Sequence, residues 1–588
     1  MFISNSSDPL KPHRRLPRPR LILISLSAAA VGALVFVLAL ILFSNSSPYP
    51  DSRNDNRHRN YGFTKIYNVR RAANEASGIN LGCVLKARNY NDFPPDLALD
   101  EYDLDAIRRA GFRHLRVSVE FLESLDEAEG GYRLDPALLE RLDRLLKNIL
   151  EADMIAHLDF HELLPEGKHA FDSEEEGARN EREFLAVWRI LSERYKAWST
   201  ALYFELANEP HKPITPAVWN EYVRRALALI RSSGGNNRMR PVIVAVDELT
   251  DPYDEVKGIL SLELPSVEED PNILVTFHYY RPFEFTWQSE TFNADLERYS
   301  KDWVGNTWDN TEAQKALIRK DFDLAAAWGK EHGRKIILGE FGVSTGADIV
   351  SQINWTRFVR EEAEARGMIW LVWQLFEEGS IGALYNESIG FFRKEILDAL
   401  MPEDNKWKAD ASPPEADARE VGKRIGELDD PDSNVRRDAA RALRTLHPRP
   451  DRPETAAAAA ALTTALNDEE WQVRLAASRA LAVLGAAARP AVPALTKALG
   501  DGEWWVRKAA AQALAALGPA ARPATARLIA LLGDEEWLVR KAAIQTLSCV
   551  APDDRETRKA LKKSLNDPED QVRIAAQFFL RTLEDERE

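Results

Sequence analysis

Between residues 79 and 373 one alternation runs through the chain eight times. Short apolar runs stand at 79–82 (INLG), 115–119 (LRVSV), 155–160 (IAHLDF), 201–206 (ALYFEL), 242–246 (VIVAV), 273–277 (ILVTF), 335–339 (KIILG) and 368–373 (MIWLVW). The stretches between them, such as 134–150 and 216–232, place apolar residues at helical spacing. A near-continuous apolar run marks a strand buried on both faces, as in a parallel sheet covered by helices. Eight strand and helix units predict a closed (β/α)8 barrel, the TIM-barrel class of α/β fold, over residues 76–401.

Residues 402–424 are polar and proline-containing, which predicts a linker. Past it the pair Val-Arg recurs at 435/436, 473/474, 506/507, 539/540 and 572/573, at spacings of 38, 33, 33 and 33 residues. An aspartate precedes each valine by five residues (Asp430, Asp468, Asp501, Asp534, Asp567), placed to cap or organise the start of an Ala/Leu-rich helix. Such a period predicts an all-α solenoid over 425–588 in which each repeat buries its neighbour's face. These units resemble HEAT-type repeats of the phycobilisome-lyase-like variety. Solenoids of this kind bind proteins or act as spacers. Trp471, Trp504 and Trp537 stand two residues before three of the Val-Arg pairs. They are expected to seal adjacent repeats; a platform for a glycan or a partner protein is the sharper alternative.

At the other end, residues 21–43 form an uninterrupted run with no charged residue. As a helix they reach roughly 35 Å, enough to cross a hydrocarbon core of about 30 Å. A secretory signal competes, but its apolar core is shorter and ends in small residues. Lys11, Arg14, Arg15, Arg18 and Arg20 precede the run, so residues 1–20 are expected as a cytoplasmic tail, 21–43 as a transmembrane anchor and 44–75 as a solvated tether. The catalytic domain would then face outward from the cell membrane as part of a single-pass protein. A net charge of −16 argues against a nucleic-acid partner. Cys83 and Cys549 fall in different domains, which excludes a disulfide framework; two buried free thiols are expected.

In a parallel barrel, reacting groups sit just past the C-terminal ends of the strands. Read that way, the runs deliver Arg116, His161, Asn208, Glu209, His278, Tyr280, Glu340 and Trp373 to one mouth. Two of these, Glu209 in FELANEP and Glu340 in ILGEFG, are acids from distant strands. Paired carboxylates across one opening are the working parts of a glycosidase.

With these residues the barrel resembles glycoside hydrolase family 5, which includes many cellulases. The resemblance rests on LRVSVE, LDFHE, FELANEP, FHYYRPF, GEFG and WLVWQ together. It implies that Glu209 is the general acid/base and Glu340 the nucleophile of a retaining double displacement. It further implies that Arg116 and Tyr280 hold the nucleophile and that Asn208 meets the sugar 2-hydroxyl. His161 and His278 would line the cleaved-bond subsite, with Trp373 beneath a pyranose ring. The expected activity is a membrane-anchored endo-β-1,4-glucanase. The alternatives are a β-mannanase or other β-glucan hydrolase of the family, and a glycan-binding membrane scaffold without catalysis. Neither metal nor organic cofactor is expected, since side chains supply both proton transfer and attack.

Other residues read more plainly. His157 is expected as a core histidine and Trp370 as core packing. Glu205 shares strand parity with Glu209 and should lie roughly 13 Å below it, a buried structural acid with an arginine as its candidate partner. Trp287 and Trp308 stand as either subsite platforms or loop aromatics. The fifth run ends in VDELTD, where the family commonly has asparagine or tryptophan, so Asp247 and Glu248 leave the sugar and linkage open.

Overall fold

The computed structural model describes residues 77–81, 101–401 and 418–580, apart from 129–130, 165–172, 212, 247–255, 289–299, 301, 345, 376–383, 387–390, 446–451 and a few positions after 569. The expected tail, anchor and tether therefore lie outside the described residues, as do Cys83, Asp247 and Glu248.

Each of the eight apolar runs supplies one strand: β1 (Ser77–Asn80), β2 (His114–Val119), β3 (Ile155–Phe160), β4 (Leu202–Glu205), β5 (Val242–Ala245), β6 (Ile273–His278), β7 (Lys335–Glu340) and β8 (Ile369–Val372). They pair in parallel, each with the next, and β8 returns to β1 to close the barrel. The helices between them start where the sequence stops extended chain. The helix Pro136–Glu151 opens with proline in its first turn behind Asp135, whose carboxylate accepts the Ala137 N–H; Thr215 does the same for Pro216–Ser232 through the Val218 N–H.

Side-chain alternation divides the barrel into layers. Outward residues such as Val117, Leu158, Phe204, Val244 and Leu338 join the core beneath the helices. Inward residues at the lower end, among them Ile155, Tyr203, Ile243, Leu274 and Ile337, form a separate apolar plug. Higher up, the inward positions turn polar: Asn80, Arg116, His157, Asp159, Glu205 and Thr276 are all fully buried. Buried polar groups need partners, so this layer either forms a network or destabilises the barrel.

One irregularity decides which way Glu340 faces. β6 and β7 run in register to Phe277 opposite Leu338, after which His278 lies opposite Glu340, leaving Gly339 as an extra residue. Leu338 faces the helices, so unbroken alternation would turn Glu340 outward as well. The bulge turns it inward, opposite His278.

The solenoid has its own core, separate from that of the barrel. Its first helix, Ala418–Glu427, starts inside the stretch expected as linker, where Val421 is buried and Arg424 pairs with Glu420 one turn earlier. The repeating aspartates do organise the helix starts, though from just ahead of the cap. Asp468, Asp501 and Asp534 accept the N–H of Glu470, Glu503 and Glu536, the residues that precede the helices beginning at Trp471, Trp504 and Trp537. The repeating arginines then link one repeat to the next. Arg436, Arg474, Arg507 and Arg540 each grip the aspartate of the following repeat through two bonds of 2.7–2.9 Å. Trp471, Trp504 and Trp537 are half-buried against the solenoid core. Among the described residues one helical stretch, Trp471–Ala498, is long and apolar enough to cross a membrane, and its apolar side chains pack inside this core. Cys549 corrects one expectation: the thiol is free but exposed, because it lies between the buried positions Leu547 and Val550 of Trp537–Val550.

The bulge can be tested. A Cβ on Gly339 would fall within contact distance of Thr276 Oγ1 and 3.0 Å from His278 Nε2. Gly339→Ala is expected to destabilise the barrel by about 1–3 kcal/mol in denaturant unfolding. Gly422→Ala, facing open space on a repeat helix, should cost nothing.

Candidate active site

The barrel mouth is organised around the guanidinium of Arg116, which is fully buried on β2. Nε donates to Glu205 Oε2 (2.6 Å), Nη1 to Asn80 Oδ1 (3.0 Å) and Glu340 Oε1 (2.6 Å), and Nη2 to Glu205 Oε1 (3.0 Å) and Asn208 Oδ1 (2.7 Å). Asp159 Oδ2 lies 3.1 Å from the same Nη2. All five donors of the fork are in use. Burial alone would lower the pKa of Arg116, but Asp159, Glu205 and Glu340 outweigh it and hold the side chain charged.

Glu340 receives its second hydrogen bond from Tyr280, whose hydroxyl donates to Oε2 at 2.8 Å. Burial pushes the Glu340 carboxyl above its ordinary value of 4.5, with Glu209 adding to the push and His278 and Arg116 pulling the other way. Glu209 is a third exposed, at the open end, and its Oε1 lies 2.5 Å from His278 Nδ1. Burial opposes its ionisation, but the bond and charge of His278 prevail and keep it well below 4.5. His278 moves the opposite way: burial would lower it, yet Glu340 and Glu209 raise it above 6.5. In the free protein the proton between the two therefore belongs on the imidazole.

His161 and Trp373 complete the mouth. The His161 ring stacks on the Trp373 indole with centroids 5.8 Å apart and planes 6° from parallel, and its Nδ1 is 2.7 Å from Asp159 Oδ2. Tyr280, Phe283, Trp287, Trp303 and Trp373 form a separate aromatic cluster. Trp308 is fully buried with Phe285 and Phe358, which makes it a core residue, as is Trp370. His157 is also fully buried, with Nε2 2.5 Å from Glu205 Oε2. Beneath it His114 is held neutral, its pKa lowered to about 3 by burial and by the neighbouring His157.

All eight residues read from the strand ends thus come together, and three more join them. Asn80 and Asp159 carry no mark in the apolar pattern; Glu205 is the expected buried acid with an arginine partner, and that partner is Arg116, which ties it to the site. Their signal is inward parity: each is a polar residue at a position where its strand faces the barrel axis. Glu209, His278 and Glu340 offer one donor atom each within 4.8 Å of one another, a spacing that could hold a cation. Glu209 and His278 are bonded to each other, and Glu340 to Arg116 and Tyr280.

Residues 79–379, just over half of the chain, match the profile of the family described as cellulase (glycosyl hydrolase family 5), and 423–515 and 492–581 match HEAT repeats. Endoglucanase H of Acetivibrio thermocellus is 28% identical over 55% of this chain, which spans about a third (32%) of that larger protein. Endoglucanase C of the same organism is 26% identical, with 97% of its length covered. Among solved structures, endoglucanase Cel5A of Thermotoga maritima is 30% identical over 56% of this chain and 99% of its own, with a TM-score of 0.49. The chain belongs to glycosyl hydrolase family 5, and HEAT repeats follow its catalytic-type barrel.

Proposed function

We propose that the barrel is a retaining β-glycosidase acting on β-linked glucans, most specifically an endo-β-1,4-glucanase. The observation that carries this reading is the proximity of Glu209 and Glu340, which bring carboxylate oxygens within 4.8 Å of each other. Retaining enzymes hold their carboxyl groups about 5–5.5 Å apart, whereas inverting ones leave roughly 6.5–9.5 Å for a water. The endoglucanase names of the relatives support the choice of a β-glucan.

Glu340, oriented by Arg116 and Tyr280, attacks the anomeric carbon. As its C1–O bond forms, the glycosidic C1–O bond breaks and the electron pair passes to the departing oxygen. That oxygen takes a proton from Glu209, which Glu209 has first drawn across the short bond from His278, so that Glu209 is left as a carboxylate and His278 neutral. In the second half a water attacks C1 and gives its proton back to Glu209, and the ester to Glu340 breaks to restore the carboxylate. Asn208 points its oxygen at Arg116, which leaves its NH2 group to donate to the sugar 2-hydroxyl. Trp373 offers the flat apolar face for a ring.

A reducing-sugar assay on carboxymethylcellulose, mixed-linkage glucan, xyloglucan and mannan tests the reading, with proton NMR of the first product. Cleavage of the β-1,4-glucans with the β-anomer appearing first is expected. Mannan as the best substrate would transfer the site to β-mannanases, an initial α-anomer would end the retaining mechanism, and inactivity of folded protein on every polymer would favour a binding scaffold.

The pH profile has a worked sign. Glu340 must be ionised, so activity falls as pH drops through its raised value, above 4.5. The Glu209–His278 pair must carry its proton, so activity also falls as pH rises through the raised value of His278, above 6.5. A bell-shaped kcat/KM with both limbs displaced upward is expected; a flat profile from about 4 to about 9 would refute it.

We further read residues 21–43 as a membrane anchor, supported by their length, lack of charge and preceding basic residues. The barrel would then act on the outer side of the cell membrane. Activity should sediment with membranes and become soluble once residues 1–43 are removed; soluble activity from the full chain would contradict this.

A further inference from the structure

Glu205 is unlike an ordinary buried structural acid, because both its oxygens sit on the guanidinium that also holds Glu340. Its carboxylate takes Arg116 Nε and Nη2 in a two-point grip, at 2.6 and 3.0 Å, leaving Nη1 to reach Asn80 and Glu340. A two-point grip fixes the plane of a guanidinium, and that plane fixes where the Nη1 hydrogens aim. The grip is itself braced, since His157 Nε2 lies 2.5 Å from Glu205 Oε2.

The same contact divides charge. Facing Glu205 and its arginine are Asp159 and His157 from β3, Glu340 from β7 and, beyond β4, Glu209 with its partner His278 from β6. His114 on β2 lies beside His157 and stays neutral; His161 shares Asp159, and Tyr280 shares Glu340. One fixed cation therefore serves several carboxylates. An arginine paired with Glu340 alone would stabilise that carboxylate more strongly and make it a poorer nucleophile.

We propose that Glu205 is a positioning residue for glycoside cleavage: by gripping Arg116 and sharing its charge, it aims the guanidinium at Glu340 and keeps that carboxylate basic enough to attack. This rests on the reading of Glu340 as nucleophile.

The test uses the full chain and a dinitrophenyl β-cellobioside, whose leaving group needs no proton, so that kcat/KM reports the attack by Glu340. A 2-deoxy-2-fluoro cellobioside that traps the nucleophile counts competent sites. Glu205→Gln is expected to lower kcat/KM per trapped site on the order of tenfold to a hundredfold. It should also shift the acid limb of kcat/KM to lower pH. Glu205→Asp, which keeps the charge, should restore the limb while its shorter reach leaves kcat/KM per site reduced. A residue that only supports folding would reduce the number of sites and leave both per-site quantities unchanged. That result, or a limb that moves upward, would overturn the proposal. If Glu205→Gln does not fold, an unchanged kcat/KM per site in Glu205→Asp would overturn it equally. Failure of the wild-type protein to turn over the glycoside or be trapped would instead overturn the hydrolase reading.

Discussion

A guanidinium sealed from solvent inside a barrel is tolerable only if every donor finds an acceptor, and the architecture follows from meeting that demand for Arg116. Leaving such a charge unpaired in the interior costs several kcal/mol. Its partners come from β1, β3, β4 and its loop, and β7, so one side chain ties together strands that are not all neighbours in the sheet. No local segment could provide this. The network exists only once the barrel has closed, which makes the chemistry of the mouth depend on the complete fold. The apolar plug below completes the division: it packs the lower barrel and leaves the upper layer free to be polar.

The second constraint is the bulge at Gly339. A strand with period two cannot place both Leu338 in the outer core and Glu340 in the mouth. Inserting one residue between them allows both, and glycine meets the close approach of Thr276 and His278. The pairing of Glu340 with Arg116, Tyr280 and His278 therefore traces to one missing side chain beside it.

These two features also separate what the sequence discloses from what it hides. The eight strands are legible because each centres on a short, largely apolar run, and the repeats because Val-Arg and its aspartate return at a near-constant interval. Site residues at strand ends are legible for the same reason: the end of an apolar run marks the rim. Asn80 and Asp159 are hidden because their role lies in convergence across strands, which no single run records. Glu340 is legible as a strand-end residue of the mouth, but the bulge that turns it inward is hidden, since unbroken alternation would place it outside the barrel. Cys549 shows the same limit on the solenoid, where a one-position offset on a helix separates a buried residue from an exposed one. The inter-repeat grip of arginine on aspartate is written in the period, but its direction, forward to the next repeat, appears only in three dimensions.

The charge pattern of the mouth follows from the same geometry. Asp159, Glu205 and Glu340 crowd around Arg116, and Glu209 joins them through His278; His161 lies against Asp159, His157 against Glu205, and His278 against Glu209 with Glu340 farther off. Glu340 differs in degree: Arg116 and Tyr280 take its oxygens at 2.6 and 2.8 Å, while His278 Nδ1 stands 3.6 Å from Oε2, farther than from Glu209. A carboxylate in a direct hydrogen bond with imidazole can exchange a proton without leaving its place, whereas guanidinium and phenol hold on to theirs near neutral pH. The two acids at the opening thus differ in their nearest partners before any substrate arrives. Under the proposed double displacement, the short bond to His278 suits Glu209 to exchange protons and the grip of Arg116 and Tyr280 suits Glu340 to attack as an anion, so two identical side chains would take opposite tasks from what lies beside each.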